Sequence, residues 1–186
     1  MPRMARVVLP HMPHHVVQRG PNRQAVFAGA EDCERYLEDL RELSSGLDIR
    51  VYGYCLMTNH VRLLLGHGEE VAAMGRLMKA RAARARMAPA AGESAWSSFR
   101  QRMGEEDQWI DLDPAYSDLA DNGSDRRARY ARLVQQGVPE QELSLMREAL
   151  QRGQLTGKQR FVNEVEQIIG CRIERRRLDR PRSRRR

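Results

Sequence analysis

The sequence predicts an α+β fold, in which a short unit of strands and helices is followed by a helical region. The first observation is a β-hairpin pattern in residues 51–65, where two β-branched and aromatic runs flank a Met-Thr-Asn turn. The second is a pair of amphipathic helix patterns, in residues 31–47 before the hairpin and 69–86 after it. With a strand in residues 14–19, the order is β-α-β-β-α, a ferredoxin-like unit truncated before its last strand.

Each element of this unit has a local signal. The first strand, His-His-Val-Val-Gln-Arg, ends at Gly20 and Pro21, which favour a turn. The first helix has acidic residues in its first turn, where the helix dipole is positive, and Gly46 near its end. Its apolar face is formed by Cys33, Tyr36, Leu37, Leu40, Leu43 and Leu47. The later turns of the second helix are strongly basic, through Arg76, Lys79, Arg81, Arg84 and Arg86.

The rest of the chain contains a linker, further helices and a basic end. Helix patterns occur in residues 113–119, 124–135, 139–152 and 158–169, with Ser124 as the expected N-cap of the second. The last two fit either a helix-turn-helix or an ordinary helical hairpin. The predicted domains are an incomplete α+β domain in residues 1–86, a Pro- and Gly-containing linker in 87–94, a helical region in 95–170 and an arginine-rich arm in 171–186.

The composition favours an anionic partner. The 186 residues carry a formal net charge of +7, which suits nucleic acid or anionic lipid, although a solvated basic surface without a specific partner gives the same composition. No apolar run approaches the roughly 20 residues of a membrane helix, and no secretion signal is recognisable. Cys33, Cys55 and Cys171 form no CxxC pair, which indicates free thiols in a reducing cytosol. We therefore expect a cytoplasmic protein with no membrane partner.

The second hairpin strand separates polar from apolar side chains. Because side chains two apart on a strand share a face, His60 and Arg62 point the same way while Val61 points into the core. The run that contains them, CLMTNHVRLLL in residues 55–65, resembles the signature strand of the HUH-type tyrosine transposases. In that family the motif is Asn-His-Val-His followed by three apolar residues.

Other segments resemble one branch of that family, the REP-associated tyrosine transposases. Residues 1–27, with LPHMPHHVVQRGPNRQAVF, resemble the start of that branch, and its longer members are similar to AWSSFRQRMG, DLDPAYSDL, RARYARLV and GKQRFVNEVEQIIGCRI. The resemblance implies transposition of single-stranded hairpin DNA. It implies a divalent metal, Mg²⁺ or Mn²⁺, held by two strand histidines, and a tyrosine on a later helix that attacks a DNA phosphate. A 5′-phosphotyrosine and a free 3′-OH would result.

The first departure from the family pattern is Arg62, which stands where the second metal histidine would be. A guanidinium group offers only donors and has no lone pair for a metal, so His60 remains as a single weak metal ligand. His67 follows Gly66 on a predicted loop and is the alternative second ligand. Arg62 fits two hypotheses equally: it holds a phosphate by paired hydrogen bonds, or it is a tolerated, solvated substitution.

The second departure is a missing segment. The last sheet strand, and the helix that carries the nucleophilic tyrosine in a Tyr-x-x-x-Asn-Pro setting, have no counterpart between the basic helix and Trp96. The remaining tyrosines, which occupy apolar-face, strand or tail positions, are Tyr36, Tyr52, Tyr54, Tyr116 and Tyr130. A phenol of pKa ~10 also needs activation near neutral pH. We therefore predict no catalytic residue in this chain.

The predicted DNA contacts are amide and basic side chains, which read base edges or hold phosphates. They are Gln18, Arg19, Asn22, Arg23, Arg62, Arg76, Lys79 and Arg84. The adjacent His14 and His15 point to opposite faces of their strand and do not chelate together.

Three classes of function follow. The preferred interpretation is a catalytically impaired DNA-binding protein of the REP-associated family; the alternative is an active transposase that cleaves single-stranded DNA through a tyrosine. The third class, a protein with no nucleic-acid partner, is disfavoured by the motif resemblance. The missing last strand leaves a sheet edge unpaired, which predicts a homodimer.

Overall fold

The computed structural model describes residues 8–20, 25–84, 96–105, 108–152 and 159–170. They belong to two compact units, one of residues 8–137 and the other containing residues 138–170. The fold is mixed α/β, with a three-stranded antiparallel sheet in the first unit. Among the described residues, no helix combines the length and the apolar character needed to cross a membrane.

The sheet is formed by β1 (His14–Arg19), β2 (Ile49–Met57) and β3 (His60–His67) in the order β1-β3-β2. The three predicted strands are confirmed, and the hairpin strands β2 and β3 run further than predicted. The register of the hairpin shifts between Val51 and Gly53, so Tyr52 is the extra residue of a β-bulge. The strand β1 lies at one end of the sheet, and within the described ranges no strand pairs with its outer edge.

Two helices cover one face of the sheet. The helices are α1 (Ala30–Gly46) and α2 (Val71–Arg84), as predicted to within two residues; α1 contacts β2, and α2 contacts both α1 and β3. The core between them includes Leu40, Leu65 and Leu77, each with no exposed surface. Because side chains alternate along β3, this core face takes its odd-numbered residues and leaves the even-numbered ones on the opposite face.

The chain after the linker returns to the outer edge of β2. The N–H of Leu56 donates to the carbonyl of Trp96 at 2.8 Å, and the N–H of Ser98 donates to that of Tyr54 at 3.0 Å. The N–H of Asp111 then donates to the carbonyl of Val51 at 2.8 Å. This segment contains the short helix α3 (Phe99–Met103), which the sequence did not predict. The residues that begin the predicted helical region therefore lie in the same compact unit as the sheet.

The remaining helices are α4 (Pro114–Ser117), α5 (Gly123–Gln136), α6 (Glu140–Arg152) and α7 (Gln159–Ile169). All four predicted helices are confirmed, with ends that differ by at most two residues. The predicted cap of α5 was wrong: the N-cap is Asn122, whose Oδ1 accepts the N–H of Asp125 at 2.8 Å. The turn of the possible helix-turn-helix, the linker and the arginine-rich arm lie outside the described residues.

Candidate nucleic-acid interface

The sheet face opposite α1 and α2 carries polar side chains from all three strands. Arg62 is paired with Val17 of β1 and Cys55 of β2, while His60 is paired with Arg19 and Met57. Paired residues share a face of the sheet, so these side chains lie together on one side. His15, paired with Leu64, belongs to the same side. We call this surface the polar sheet face and define it by His15, Arg19, Cys55, His60 and Arg62.

The polar sheet face is accessible around its two arginines. Arg19, Arg62 and His15 are exposed, whereas His60 and Cys55 are half-buried. No ion pair joins Arg19 or Arg62 to a carboxylate of the described chain. Two guanidinium charges therefore face solvent on adjacent strands without an acidic partner among the residues placed, which favours the approach of an anion.

His60 is held by hydrogen bonds at both ring nitrogens. Its Nδ1 lies 2.7 Å from Oδ1 of Asn59, an acceptor, so Nδ1 carries the proton. Its Nε2 then has a lone pair, which accepts the Nε–H of Arg62 at 3.3 Å. This pattern requires the neutral imidazole, because a protonated ring could not accept a hydrogen bond from Arg62.

The electrostatics of the polar sheet face agree with neutral histidines. Loss of hydration lowers the pKa of His60, and the charges of Arg62 and then Arg19 lower it further. Loss of hydration followed by the Arg62 charge likewise lowers the pKa of His15. Burial raises the pKa of the Cys55 thiol, with Arg62 opposing it. At neutral pH the positive charge of this surface therefore resides on its guanidinium groups.

The donor set on this face does not fit a divalent metal. Nε2 of His60 already accepts a hydrogen bond from Arg62, and a bound cation would lie beside two guanidinium charges. Within the described ranges, no three His, Cys, Asp or Glu side chains are grouped so that they could hold a metal ion. At the position two residues after His60, the chain has Arg62, which offers no lone pair to a metal.

His67 does not replace the missing ligand. The loop expected for it was wrong, because His67 is the last residue of β3. It lies an odd number of residues from His60 and so points to the opposite face. It is 3% exposed, its ring stacks on His14 with centroids 5.5 Å apart, and its Nδ1 lies 2.8 Å from the carbonyl oxygen of Gly68. The strand β3 runs two residues beyond its predicted end, so it includes His67 and fixes the face to which His67 points.

Of the other predicted DNA contacts, the two whose side chains the structure describes, Gln18 and Arg76, do not join Arg19 and Arg62. Gln18 is paired with Val61 and therefore points to the opposite face, where its Oε1 is buried and has no hydrogen-bond partner among the residues described. Arg76 is exposed on α2 and forms an ion pair with Glu70. Lys79 and Arg84 lie in α2, but their side chains are outside the described part. Asn22 and Arg23 lie in an undescribed range as well.

The five tyrosines occupy other surroundings. Tyr36 and Tyr54 are core residues, and the Tyr54 ring stacks on Trp109. Tyr52 packs over Gly66, where a Cβ would come within 2.6 Å of its ring. Tyr116 and Tyr130 contact each other edge to face with centroids 5.3 Å apart. The described hydrogen-bond partners of His60 are Asn59 and Arg62, so none of these hydroxyl groups is bonded to it.

Sequence reasoning missed two members of the polar sheet face. His15 and Cys55 join it only through the register that sets them beside Leu64 and Arg62. The alternation of β1 already groups His15 with Arg19 on one side of that strand, which is the signal that could have found His15.

No family model, curated protein or solved structure matches this chain.

Proposed function

We propose that this chain is a DNA-binding protein of the REP-associated tyrosine transposase family, with a truncated ferredoxin-like domain and impaired catalysis. Its substrate is single-stranded hairpin DNA, and it acts in the cytoplasm. The observation that carries the proposal is a pair of exposed arginines: Arg62 on the strand that resembles the family signature, and Arg19 on β1, which pairs with that strand. The order β1-β3-β2 and the two helices on one face are compatible with the truncated fold.

Phosphate binding is the chemistry that this surface supports. Guanidinium groups match phosphate oxygens with paired donors, and contacts to the DNA backbone dominate affinity. The formal net charge of +7 adds long-range attraction to any nucleic acid. The two guanidinium groups lie on adjacent strands of one sheet face, so both can contact the same stretch of DNA backbone.

Impaired catalysis is supported by the surroundings of His60 and of the tyrosines. Arg62 occupies the lone pair that a metal would use, and no described tyrosine hydroxyl is bonded to His60. A divalent metal at His60 would have that imidazole as its one histidine ligand, because His15 is paired with Leu64, four residues further along β3. Without a polarised phosphate and an activated phenol, the cleavage step loses both of its reacting partners.

A binding and nicking experiment tests the proposal. The full chain is titrated into a fluorescent single-stranded hairpin oligonucleotide over a salt series, and the same oligonucleotide is incubated with the chain and Mn²⁺. We expect binding that weakens steeply with salt and no phosphotyrosine adduct. Absence of binding at low salt would overturn the DNA-binding function, and a covalent adduct would establish the alternative, an active transposase.

We also propose that the outer edge of β1 pairs with a second copy of the chain. No strand of the described residues covers this edge, and unpaired strand edges readily take up another strand. Sedimentation equilibrium over a concentration series tests the homodimer, and a monomer at every concentration would contradict it.

A further inference from the structure

We propose that Arg62 replaces the metal ion: together with Arg19 it holds a DNA phosphate on the polar sheet face, without any divalent cation, and His60 orients it. This inference rests on the proposed DNA-binding function and specifies how one phosphate is bound. It assigns His60 the role of a positioning residue that acts through Arg62.

Within the described part of the chain, Arg62 bonds through its Nε–H alone and keeps the donors that match a phosphate. Its Nε–H is directed to Nε2 of His60 at 3.3 Å, which fixes the plane and direction of the guanidinium group. Asn59 fixes His60 in turn, through the 2.7 Å contact with Nδ1. The two Nη groups remain, and they form the fork that matches two oxygens of a phosphate. An arginine held in advance loses less conformational freedom when it binds its ligand.

Arg19 is placed to contact the same phosphate. It is paired with His60, so it is diagonal to Arg62 across the two strands. Diagonal neighbours on one face of a sheet have backbones about 7–8 Å apart, a separation that long side chains can bridge. The two like charges repel each other across this gap, and a phosphate between them removes the repulsion.

A divalent cation and the Arg62 arrangement exclude each other. Both require the lone pair on Nε2 of His60, and the second histidine of the family pattern is the position that Arg62 itself occupies. The guanidinium charge is permanent at any physiological pH, so this site needs no metal to be positive. It binds a phosphate but does not supply a Lewis acid.

The first experiment measures affinity for a single-stranded hairpin oligonucleotide by fluorescence anisotropy, in EDTA and in Mn²⁺. We expect the full wild-type chain to bind equally in both conditions, within a factor of two. Arg62→Gln and Arg19→Gln should each lose about tenfold in affinity in both conditions, as expected for one lost phosphate contact. Arg41→Gln is the matched control, because it removes the same charge from the exposed side of α1 and should change little.

A second variant tests whether a histidine at position 62 makes DNA binding depend on metal. Arg62→His restores the Asn-His-Val-His pattern, and we expect it to bind DNA more tightly with Mn²⁺ than with EDTA. Circular dichroism and thermal unfolding check that each variant is folded. A wild-type chain that needs Mn²⁺ to bind DNA, or Arg62→Gln binding as tightly as wild type in EDTA, would overturn the inference while leaving the DNA-binding function intact.

Inorganic phosphate provides the probe that distinguishes the two proposals. In NMR spectra of the full chain, phosphate should shift the Nε–H signal of Arg62 and the ring signals of His60, in the presence of EDTA. Those shifts without any DNA binding would support the phosphate site and refute the DNA-binding function. Unchanged Arg62 and His60 signals at saturating phosphate would count against the site.

Discussion

At the scale of single residues, the protonation of His60 is set by its neighbours. Its Nε2 must stay unprotonated to accept the Nε–H of Arg62, and the charge of that same arginine disfavours protonation. Loss of hydration is the larger cause of the lowered pKa of His60, and the contact with Arg62 adds to it while also forming the hydrogen bond. The charge of Arg62 also lowers the pKa of His15 on β1, because His15 is diagonal to Arg62 in the sheet.

This contact predicts how the two histidines titrate. In an NMR titration, we expect His60 and His15 to have pKa values below the ordinary 6.5. Arg62→Gln should raise the pKa of both, because it removes a positive charge that opposes protonation. Both should stay below 6.5, since loss of hydration is the larger cause in each. Arg41→Gln should leave both unchanged, and an unaltered His60 in Arg62→Gln would contradict the contact.

The linked effect on stability has a definite sign. A histidine whose pKa is lower in the folded chain binds more protons when unfolded, so the free energy of unfolding decreases as pH falls from 7 through and below 6.5. Arg62→Gln should bring the histidine pKa values of the folded chain closer to those of the unfolded chain. The free energy of unfolding should then decrease less steeply as pH falls. Urea denaturation at several pH values measures it.

The pKa of a buried thiol predicts its chemical reactivity. Burial, followed by the charges of Asp32 and Glu34, raises the pKa of Cys33 to about 11. Only the thiolate is nucleophilic, so a rise of about two pKa units lowers the reactive fraction near pH 8 by roughly a hundredfold. We expect iodoacetamide to label Cys33 slowly in the native chain and readily in urea, as mass spectrometry of peptides can show. Rapid native labelling would mean that α1 opens frequently.

The polar sheet face shows how far single-residue prediction extends. The period of two along a strand was enough to place His60 and Arg62 together and Val61 in the core. Gln18 was predicted to contact DNA, as Arg62 was, because it is an amide near a strand end. Its pairing with Val61 sets it on the opposite side, and pairing register depends on contacts between distant segments.

At the scale of elements, the long periodic helices were predictable from the sequence. The segment with α3, which bonds to the outer edge of β2, was not. Helix α3 has five residues, too few for a clear apolar period, and its buried side chains are Gln101 and Arg102. Arg102 is 3% exposed, donates to the carbonyls of Tyr52 at 2.8 Å and Asp111 at 2.6 Å, and lies over the Tyr116 ring. A sequence pattern assigns such an arginine to solvent, whereas here it attaches α3 to the sheet.

Removing this arginine should destabilise the first unit. Arg102→Ala leaves two carbonyl groups without their charged donor, and we expect a loss of about 3 kcal/mol in the free energy of unfolding. Arg100→Ala, on the same helix, breaks an exposed ion pair with Glu105 and should cost within about 0.5 kcal/mol. Urea denaturation followed by circular dichroism compares the two. Equal effects would mean that burial of Arg102 contributes nothing to stability.

At the scale of the whole molecule, composition and the compact units give different divisions of the chain. The sequence predicted a boundary within residues 87–94, from small residues with Pro and Gly. The boundary between the two compact units lies after Gly137. The segment that bonds to the outer edge of β2 therefore belongs to the same unit as the sheet. The reason is physical: Trp96, Ser98 and Asp111 join β2 through backbone hydrogen bonds, which any sequence can form and no composition signals.

The distribution of positive charge over the whole chain predicts the salt dependence of DNA binding. In the proposed function, phosphate contacts come from two parts of the sequence, the arginine-rich arm of residues 171–186 and the polar sheet face. Each contact to single-stranded DNA contributes about 0.7 to the slope of log affinity against log salt. Deleting the arm should therefore reduce the slope by several such steps, whereas Arg62→Gln should reduce it by about one. Anisotropy titrations from low to high salt measure both slopes. If deletion of the arm removed all salt dependence, the polar sheet face would hold no phosphate. If the deletion left the slope unchanged, the sheet and the helices would make all the contacts to DNA phosphates.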